Sequence, residues 1–175
     1  MVKKRIKAVV LDVDGTLTDA KKYYFSINGE TKIAKSFSVR DGKGVDLAQK
    51  SGIEFCIVTA DKWELIVDRA KQLNVNEVFY NIHDKISVVQ DFCNRKNFQL
   101  DEICFIGDDV NDIPLLKIVG LPCCVGDAVS DVKEVCSVNR GIIAQHQGGN
   151  GAVREILDKI IKMNETEKKR IERIK

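Results

Sequence analysis

Residues 9–19 read VVLDVDGTLTD, in which an apolar run leads into the carboxylates of Asp12 and Asp14. In an extended chain, side chains two residues apart point to the same side, so these two carboxylates lie together. Crowding two like charges costs free energy unless a cation or a shared proton joins them. The stretch therefore predicts a strand that ends at a site for a positive ion.

Composition limits what the chain around this stretch can be. Its 175 residues are 44% hydrophobic and contain no linker rich in proline or serine, so we expect one domain over residues 1–175. A net charge of +2 gives no strong field, and we expect neither a nucleic-acid nor a membrane partner. The N-terminal residues are too polar for a signal or a membrane span, and the six cysteines lack paired spacing, which indicates a cytoplasmic protein with buried thiols.

Short β-rich runs alternate with segments of helical period, which is typical of parallel strands joined by crossover helices. The pattern predicts an α/β fold, a Rossmann-like doubly wound parallel sheet. Strands are expected at 6–12, 54–59, 77–80, 103–107, 121–125 and 137–138, and helices at 44–51, 62–73, 85–96, 111–119 and 151–163, with a C-terminal helix and tail over about 151–175.

One segment interrupts the alternation. Residues 22–26 and 31–38 flank a central Asn28-Gly29 pair, which is a strong signal for a β-hairpin turn. We therefore expect a hairpin over about residues 22–38, inserted after the first strand. Its apolar side chains are too many for a two-stranded flap in water, so it packs either on its own domain or on another subunit.

In open α/β sheets, ligands bind at the carboxyl ends of the strands, so residues that follow each apolar run can meet there. Carboxylates, one hydroxyl and one amine occupy these positions: Asp12, Asp14, Thr59, Lys85, Asp108, Asp109 and Asp112. Clustered carboxylates suit Mg²⁺, which takes few protein ligands and retains waters or a substrate oxygen. A bound divalent ion attracts a phosphate, and Lys85 and Thr59 can hold its remaining oxygens.

This geometry allows phosphoryl transfer through a covalent intermediate. Asp12 would attack phosphorus and form an acyl phosphate, while Asp14 would protonate the leaving alkoxide and later deprotonate water. A phospho-receiver signalling domain, which also clusters aspartates, a threonine and a lysine, is one alternative. A catalytically idle assembly subunit is another. The acid/base Asp14 argues against the signalling domain, and the complete set of carboxylates, threonine and lysine argues against the idle subunit.

The four motifs DVDGT, VTAD, a lone Lys85 and GDDVND occur in the order that resembles the haloacid dehalogenase superfamily of phosphotransferases. The resemblance implies that Asp12 is the nucleophile and that Asp14 is the general acid/base, with its backbone carbonyl on the metal. It makes Asp12, Asp14 and Asp108 the magnesium contacts, with Asp109 and Asp112 as their supports.

A closer resemblance covers nearly the whole chain through residues 28–53, 58–73 and 148–157. These stretches are similar to the capless branch whose substrates include 3-deoxy-D-manno-octulosonate 8-phosphate and the nonulosonate (sialic-acid-like) 9-phosphates. The resemblance implies a phosphorylated sugar acid as substrate, no cap domain, and a homotetramer joined by its hairpins. Implied substrate contacts are Ser38, Arg40, Asp41, Gly42, Asp61 and Arg69.

Asp61 departs from that pattern, because the octulosonate enzymes usually carry arginine where this chain reads Thr59-Ala60-Asp61. The acid resembles the nonulosonate enzymes, whereas the SVRDG stretch resembles the octulosonate ones. Asp61 also fits a helix N-cap. Arg40 fits a brace of the hairpin, and Arg69 fits a helix-surface charge.

Overall fold

The computed structural model describes residues 4–174, which form a parallel sheet flanked by helices beside a separate hairpin. The strands are β1 (Ala8–Leu11), β2 (Tyr23–Ile27), β3 (Glu30–Ala34), β4 (Glu54–Val58), β5 (Glu77–Phe79), β6 (Ile103–Gly107), β7 (Leu121–Cys124) and β8 (Ile142–Ile143). The helices are α1 (Val39–Lys50), α2 (Leu65–Gln72), α3 (Lys85–Lys96), α4 (Ile113–Leu116), α5 (Ser130–Val138) and α6 (Ala152–Ile174).

The six-stranded sheet runs in the order β5-β4-β1-β6-β7-β8, and all of its pairings are parallel. β1 lies near the centre and pairs with β4 on one side and β6 on the other, with Leu11 opposite both Ile57 and Ile106. The strand order changes direction at β1, so the loops after β1, β4 and β6 open into one crevice. Every residue of β1 and β6 is buried, as expected for strands covered on both faces.

Side-chain caps fix where two helices begin. Ser38 Oγ accepts a hydrogen bond from the Asp41 backbone N–H at the start of α1, and Asp84 does the same for Ser87 in α3. α3 ends at Asn97, which adopts the left-handed conformation that commonly ends helices. Because Asp84 caps α3, Lys85 becomes the first residue of that helix.

The predicted hairpin is present as β2 and β3, an antiparallel pair. Its two-residue turn has positive φ at both Asn28 (52°) and Gly29 (81°), the conformation that matches the twist of a hairpin. The second strand ends at Ala34 and not at residue 38. Beyond it, Phe37 forms an isolated antiparallel bridge with Thr18, so the chain returns to the loop after β1.

The α/β sheet with a hairpin insertion is confirmed, and residues 4–174 contain no separate cap domain. The predicted strand at 137–138 is wrong, because these residues end α5, and the last strand of the sheet is β8. α1 starts five residues before the predicted position, which places Arg40, Asp41 and Gly42 in its first turns. α6 runs well beyond the predicted residue 163. Within the described chain, no helix is long and apolar enough to cross a membrane.

Candidate active site

A cavity of about 190 Å³ opens at the carboxyl edge of the sheet. Five of the predicted site carboxylates line it, namely Asp12, Asp14, Asp61, Asp108 and Asp109. The rest of the lining consists of Thr59, Asn111 and two alanines, Ala20 and Ala60. A larger cavity of about 390 Å³ lies between Lys4, Arg5 and α6, near the start of β1. The smaller cavity is the candidate site, because the acidic cluster borders it.

The loop after β1 is tightly wound beneath this cavity. The Thr18 N–H donates to the Val13 carbonyl at 2.9 Å, and the Thr18 hydroxyl bonds the same carbonyl at 3.2 Å. Gly15 has φ of 81°, and a Cβ there would lie 2.0 Å from Asp108 Oδ2. Only glycine therefore lets this loop pass so close to the Asp108 carboxylate.

Lys85 joins two carboxylates below the cavity. Its ammonium lies 2.5 Å from Asp12 Oδ1 and 2.5 Å from Asp112 Oδ1, with all three side chains buried. A buried charge is tolerable only when it is paired, and here one lysine serves two aspartates. Burial alone would lower the pKa of Lys85, but the two carboxylates outweigh it, so that pKa is raised and the ammonium persists.

Asp12, Asp108 and Asp112 bring carboxylate oxygens within 4.8 Å of one another. Asp112, however, already uses both oxygens, since Oδ1 accepts from Lys85 and Oδ2 accepts from the backbone N–H of Asp108 at 2.9 Å and of Asp109 at 3.4 Å. These two N–H groups belong to the loop after β6, so Asp112 holds that loop in place. Asp109 is exposed and accepts a hydrogen bond from the Val110 N–H, so its carboxylate serves the local turn.

Asp12 and Asp108 face the cavity, and the electrostatics of these two carboxyl groups favour a bound cation. Burial, together with the nearby Asp112 charge, raises the pKa of Asp12 to about 7 against the pull of Lys85. Burial and the Asp12 and Asp112 charges raise the pKa of Asp108 to about 8. A divalent cation between Asp12 and Asp108 would favour their ionised forms, and hard carboxylate oxygens are the ligands that Mg²⁺ prefers. The residues present thus fit a magnesium site.

Thr59 and Asp61 reach the cavity from the end of β4. Thr59 is buried, and its Oγ accepts a hydrogen bond from the Asp61 N–H at 3.1 Å. This bond turns the chain after β4 and leaves the Asp61 carboxylate 22% exposed at the cavity wall. Asp61 does not cap α2, which begins after Glu64 without a side-chain cap.

Lys35 is a site residue that the sequence did not identify. It follows β3, and its ammonium contacts the carboxylates of Asp14, at 2.5 Å, and Asp61. Burial disfavours the Lys35 ammonium, but the hydrogen bonds that it donates to both aspartates outweigh burial and raise the lysine pKa. Asp61 is likewise partly desolvated, yet its bond to Lys35 lowers its pKa, so it stays a carboxylate. No local pattern marks Lys35, because all of its contacts are distant in sequence.

A row of rings and cations extends from Lys35 away from the cavity. The Lys35 ammonium lies 5.0 Å from the Trp63 ring centroid, and Trp63 stacks on Phe37 with centroids 6.1 Å apart. The Arg69 guanidinium lies 5.1 Å from the Phe37 ring, and one of its nitrogens bonds the Ser38 carbonyl at 3.4 Å. Within the described residues, Arg69 Nε is buried without a hydrogen-bond partner.

The predicted substrate contacts of α1 lie outside the cavity lining. Ser38 caps the helix, Arg40 is exposed on its first turn, and Gly42 packs under the Arg69 guanidinium. Asp41 is fully buried, and its two oxygens accept from the backbone N–H groups of Gly151 and Arg154 at the start of α6. These contacts make Asp41 a cap at the start of α6, and its expected role as a substrate contact stays a prediction. The roles of Ser38, Arg40, Gly42 and Arg69 stay predictions.

The glycine-rich loop before α6 packs directly on the loop after β1. The Gly149 N–H donates to the Thr16 carbonyl at 3.0 Å. A Cβ on Gly148 would lie 1.7 Å from the Gly15 carbonyl oxygen, and the Gly148 N–H donates to Asp127. The loop therefore braces the aspartate-bearing turn from behind, a contact between segments more than 130 residues apart.

Comparison with known proteins agrees with this geometry. The family model of haloacid dehalogenase-like hydrolases matches residues 72–156. The 3-deoxy-D-manno-octulosonate 8-phosphate phosphatase of Escherichia coli (strain K12) is 32% identical over 158 residues, which cover 90% of this chain and 80% of that enzyme. The corresponding phosphatase of Yersinia pestis is 30% identical over 156 residues, or 89% of this chain and 80% of its own length.

Solved structures share the same fold over nearly the whole chain. The 3-deoxy-D-manno-octulosonate 8-phosphate phosphatase of Moraxella catarrhalis, solved with a magnesium ion, a phosphate ion and a KDO molecule, superposes with a TM-score of 0.85 at 29% identity. That match covers 98% of this chain and 95% of the other. The cobalt-bound deoxy-D-mannose-octulosonate 8-phosphate phosphatase of Haemophilus influenzae gives a TM-score of 0.82 at 29% identity, covering 91% and 90%.

Proposed function

The chain belongs to the haloacid dehalogenase-like hydrolase family, and from that premise we propose that it is a magnesium-dependent phosphatase of an acidic keto-sugar. The substrate that we propose is 3-deoxy-D-manno-octulosonate 8-phosphate, on which the E. coli, Y. pestis and M. catarrhalis relatives act by name. The products would be the free sugar acid and inorganic phosphate.

The observation that carries this proposal is the meeting of Asp12, Asp108 and Lys85 beside one cavity. Two carboxylates that face the cavity and a buried ammonium match what phosphoryl transfer requires, which is a nucleophile, a cation site and a fixed positive charge. A receiver domain would need only slow phosphorylation of one aspartate. The placement of Asp14 on the same cavity wall favours a turnover enzyme.

In this proposal Asp12 attacks phosphorus in line with the leaving oxygen and forms an acyl phosphate. Asp14 donates a proton to the leaving alkoxide and then takes one from the water that cleaves the acyl phosphate. Lys85 holds Asp12 through Oδ1 and offsets its charge, while Thr59 offers a hydroxyl to a phosphoryl oxygen. Bound Mg²⁺, held by Asp12, Asp108 and the Asp14 carbonyl, would supply charge neutralisation for the phosphoryl oxygens.

Phosphate release tests the proposal directly. The purified protein with Mg²⁺ would be supplied with 3-deoxy-D-manno-octulosonate 8-phosphate, a nonulosonate 9-phosphate and glucose 6-phosphate. We expect kcat/KM for the octulosonate ester to exceed that for glucose 6-phosphate by at least about 100-fold, since a buried polar site discriminates strongly. Asp12→Asn should abolish turnover with every ester. Equal release by wild type and Asp12→Asn would contradict the proposal.

The nonulosonate 9-phosphates are a second candidate substrate class because of Asp61. Asp61 stands where the octulosonate enzymes usually carry arginine, and its carboxylate lies on the cavity wall. A larger kcat/KM for the nonulosonate ester in the same assay would select this class. Because both esters carry a carboxylate and a phosphate, the mechanism would be unchanged.

We also propose that the protein works as a homotetramer in the cytoplasm. Five apolar hairpin side chains are between 43% and 66% exposed, namely Tyr23, Tyr24, Phe25, Ile27 and Ile33. Together they form a patch that a second copy of the chain would cover. The cytoplasmic location is supported by the six cysteines, which are all buried thiols. Light scattering should give four times the mass of 19.6 kDa, and Tyr24→Asp should lower it.

A further inference from the structure

Lys35 connects the hairpin to the two acidic walls of the cavity. Its ammonium contacts Asp14, from the loop after β1, and Asp61, from the loop after β4. The Lys35 side chain is only 2% exposed, whereas that of Asp14 is 37% exposed. The lysine thus lies inside the protein and holds a carboxylate that faces the cavity.

The surroundings of Lys35 are built to keep it there. The Trp63 ring lies beside the ammonium at 5.0 Å, and Trp63 in turn stacks on Phe37. Phe37 pairs with Thr18 in the isolated bridge, so the segment after β3 is fastened on both sides of Lys35. Ordering a lysine side chain costs rotamer entropy, which a merely solvated surface lysine would not lose.

We propose that Lys35 is a positioning residue, which directs the Asp14 carboxylate toward the leaving group of the substrate and ties that direction to the hairpin. The proposal rests on the proposed function, in which Asp14 exchanges a proton with the leaving oxygen. Lys35 donates to Asp14 Oδ1, so Oδ2 is the oxygen left for the proton transfer. A carboxylate on a loop, 37% exposed and without this tether, would sample other rotamers.

The chain offers a matched control in Lys22. This lysine lies at the other end of the hairpin, its ammonium is 3.9 Å from Asp61, and its side chain is 50% exposed. Lys22→Met removes the same charge near the same wall without touching Asp14. Lys35→Met keeps an unbranched apolar side chain against Trp63 and removes only the tether.

The test compares two leaving groups. A sugar-acid phosphate expels an alkoxide that needs the proton from Asp14, whereas p-nitrophenyl phosphate expels a stable phenolate that does not. Cleavage of the acyl phosphate uses Asp14 as a base for both esters, so the quantity compared is the single-turnover rate of leaving-group release. General acid catalysis typically contributes about 10²–10⁴-fold, so misdirecting Asp14 should lower this rate for the sugar-acid ester by about 10–100-fold. We expect less than about 5-fold loss of this rate on p-nitrophenyl phosphate, and for Lys22→Met less than about 2-fold loss on either ester. Lys35→Arg should regain most of the lost rate, because it restores a donor to Asp14.

Three results would overturn the proposal: equal losses of the leaving-group release rate on both esters, a rise of KM alone, or unchanged kinetics in Lys35→Met. Thermal unfolding of each variant shows whether it folds, and Lys35→Leu, which also lacks a donor, is assayed in the same way if the methionine variant does not. Failure of the proposed function looks different, because the wild type itself would then release no phosphate from either ester.

Discussion

Asp108→Asn should separate the repulsion within the acidic cluster from its use as a cation site. Asparagine keeps the shape of Asp108 and an oxygen for the Thr16 hydroxyl, which donates to Asp108 Oδ1 at 3.3 Å. Asparagine cannot ionise, so folding no longer has to suppress a charge that the neighbouring carboxylates oppose. We therefore expect opposite effects in the two states of the protein: higher stability without metal and a weaker response to Mg²⁺.

The size of the first effect follows from the pKa of about 8 that Asp108 has in the cluster, against an ordinary 3.8. In the unfolded chain at pH 7 the group is ionised, whereas in the metal-free folded chain it keeps its proton. Taking up this proton on folding at pH 7 lowers the free energy of unfolding by at most about 4 kcal/mol, because each pH unit above the ordinary pKa costs about 1.4 kcal/mol. Relaxation and water at this half-buried group reduce the cost, and we expect Asp108→Asn to gain about 1–2 kcal/mol, or a melting midpoint about 2–8 °C higher.

The pH dependence has a definite sign. A carboxyl group whose pKa is raised by folding binds its proton more tightly in the folded state, so stability is lost as pH rises from about 4 to about 8. The metal-free wild type should lose stability across this window, and Asp108→Asn should lose less. At a Mg²⁺ concentration of 100 times Kd, the wild type should gain about 2.7 kcal/mol, or about 5–11 °C.

Thermal unfolding followed by circular dichroism, with EDTA or with Mg²⁺, measures both effects. Asp109→Asn is the control, because Asp109 is exposed, caps its own turn and lies outside the three-carboxylate group. Its Mg²⁺ response should stay within about 2 °C of the wild type. A full Mg²⁺ response in Asp108→Asn, with no gain in metal-free stability, would refute the assignment of Asp108 to the cation site.

Three further substitutions probe the parts that support the site. Gly148→Ala should lower kcat and reduce the free energy of unfolding by about 1–3 kcal/mol, because the added Cβ would lie 1.7 Å from the Gly15 carbonyl oxygen. An unchanged kcat would show that the loop after β1 does not need this support. Asp41→Ala should cost about 1–3 kcal/mol of unfolding free energy while KM for the sugar-acid ester stays the same, since it leaves the N–H groups of Gly151 and Arg154 at the start of α6 without their partner. A large rise in KM would instead support a substrate contact at Asp41. Lys85→Met should destabilise the metal-free protein by about 3–5 kcal/mol and abolish turnover, because Asp12 and Asp112 lose the positive charge that they share. A metal-free variant as stable as the wild type would contradict this.

The sequence predicted the part of the site that depends on strand ends. Asp12, Thr59 and Asp108 each follow an apolar run, and parallel pairing necessarily brings such positions to one edge. Lys85 could be placed for a related reason, because it starts the helix after β5. These are consequences of local pattern and of one topological rule.

The contacts that tie distant segments together could not be predicted in this way. Lys35 reaches Asp14 and Asp61 only because the chain after the hairpin turns back to the loop after β1, and nothing in its neighbourhood signals that turn. The capping of α6 by Asp41 joins residues 110 positions apart. In both cases the partner is chosen by tertiary packing, on which local propensity has no influence.

α5 was missed for a different reason. The helix begins after Val129 without a side-chain cap and buries Val132 and Cys136, a single pair at helical spacing. Its last residues, Ser137 and Val138, resemble a strand when they are considered alone. These residues are helical because α5 packs against β7 and β8, and both strands lie outside the nine residues of the helix.

The burial of all six thiols has a practical consequence for experiments on this molecule. Their exposure ranges from 0% to 4%, so alkylating reagents should find no reactive sulfur on the native surface. A cysteine introduced at Tyr24, which is 66% exposed on the hairpin, would then be the one site for a maleimide dye. Excimer fluorescence from a pyrene attached there would report when hairpins of different copies meet, without any other change to the protein.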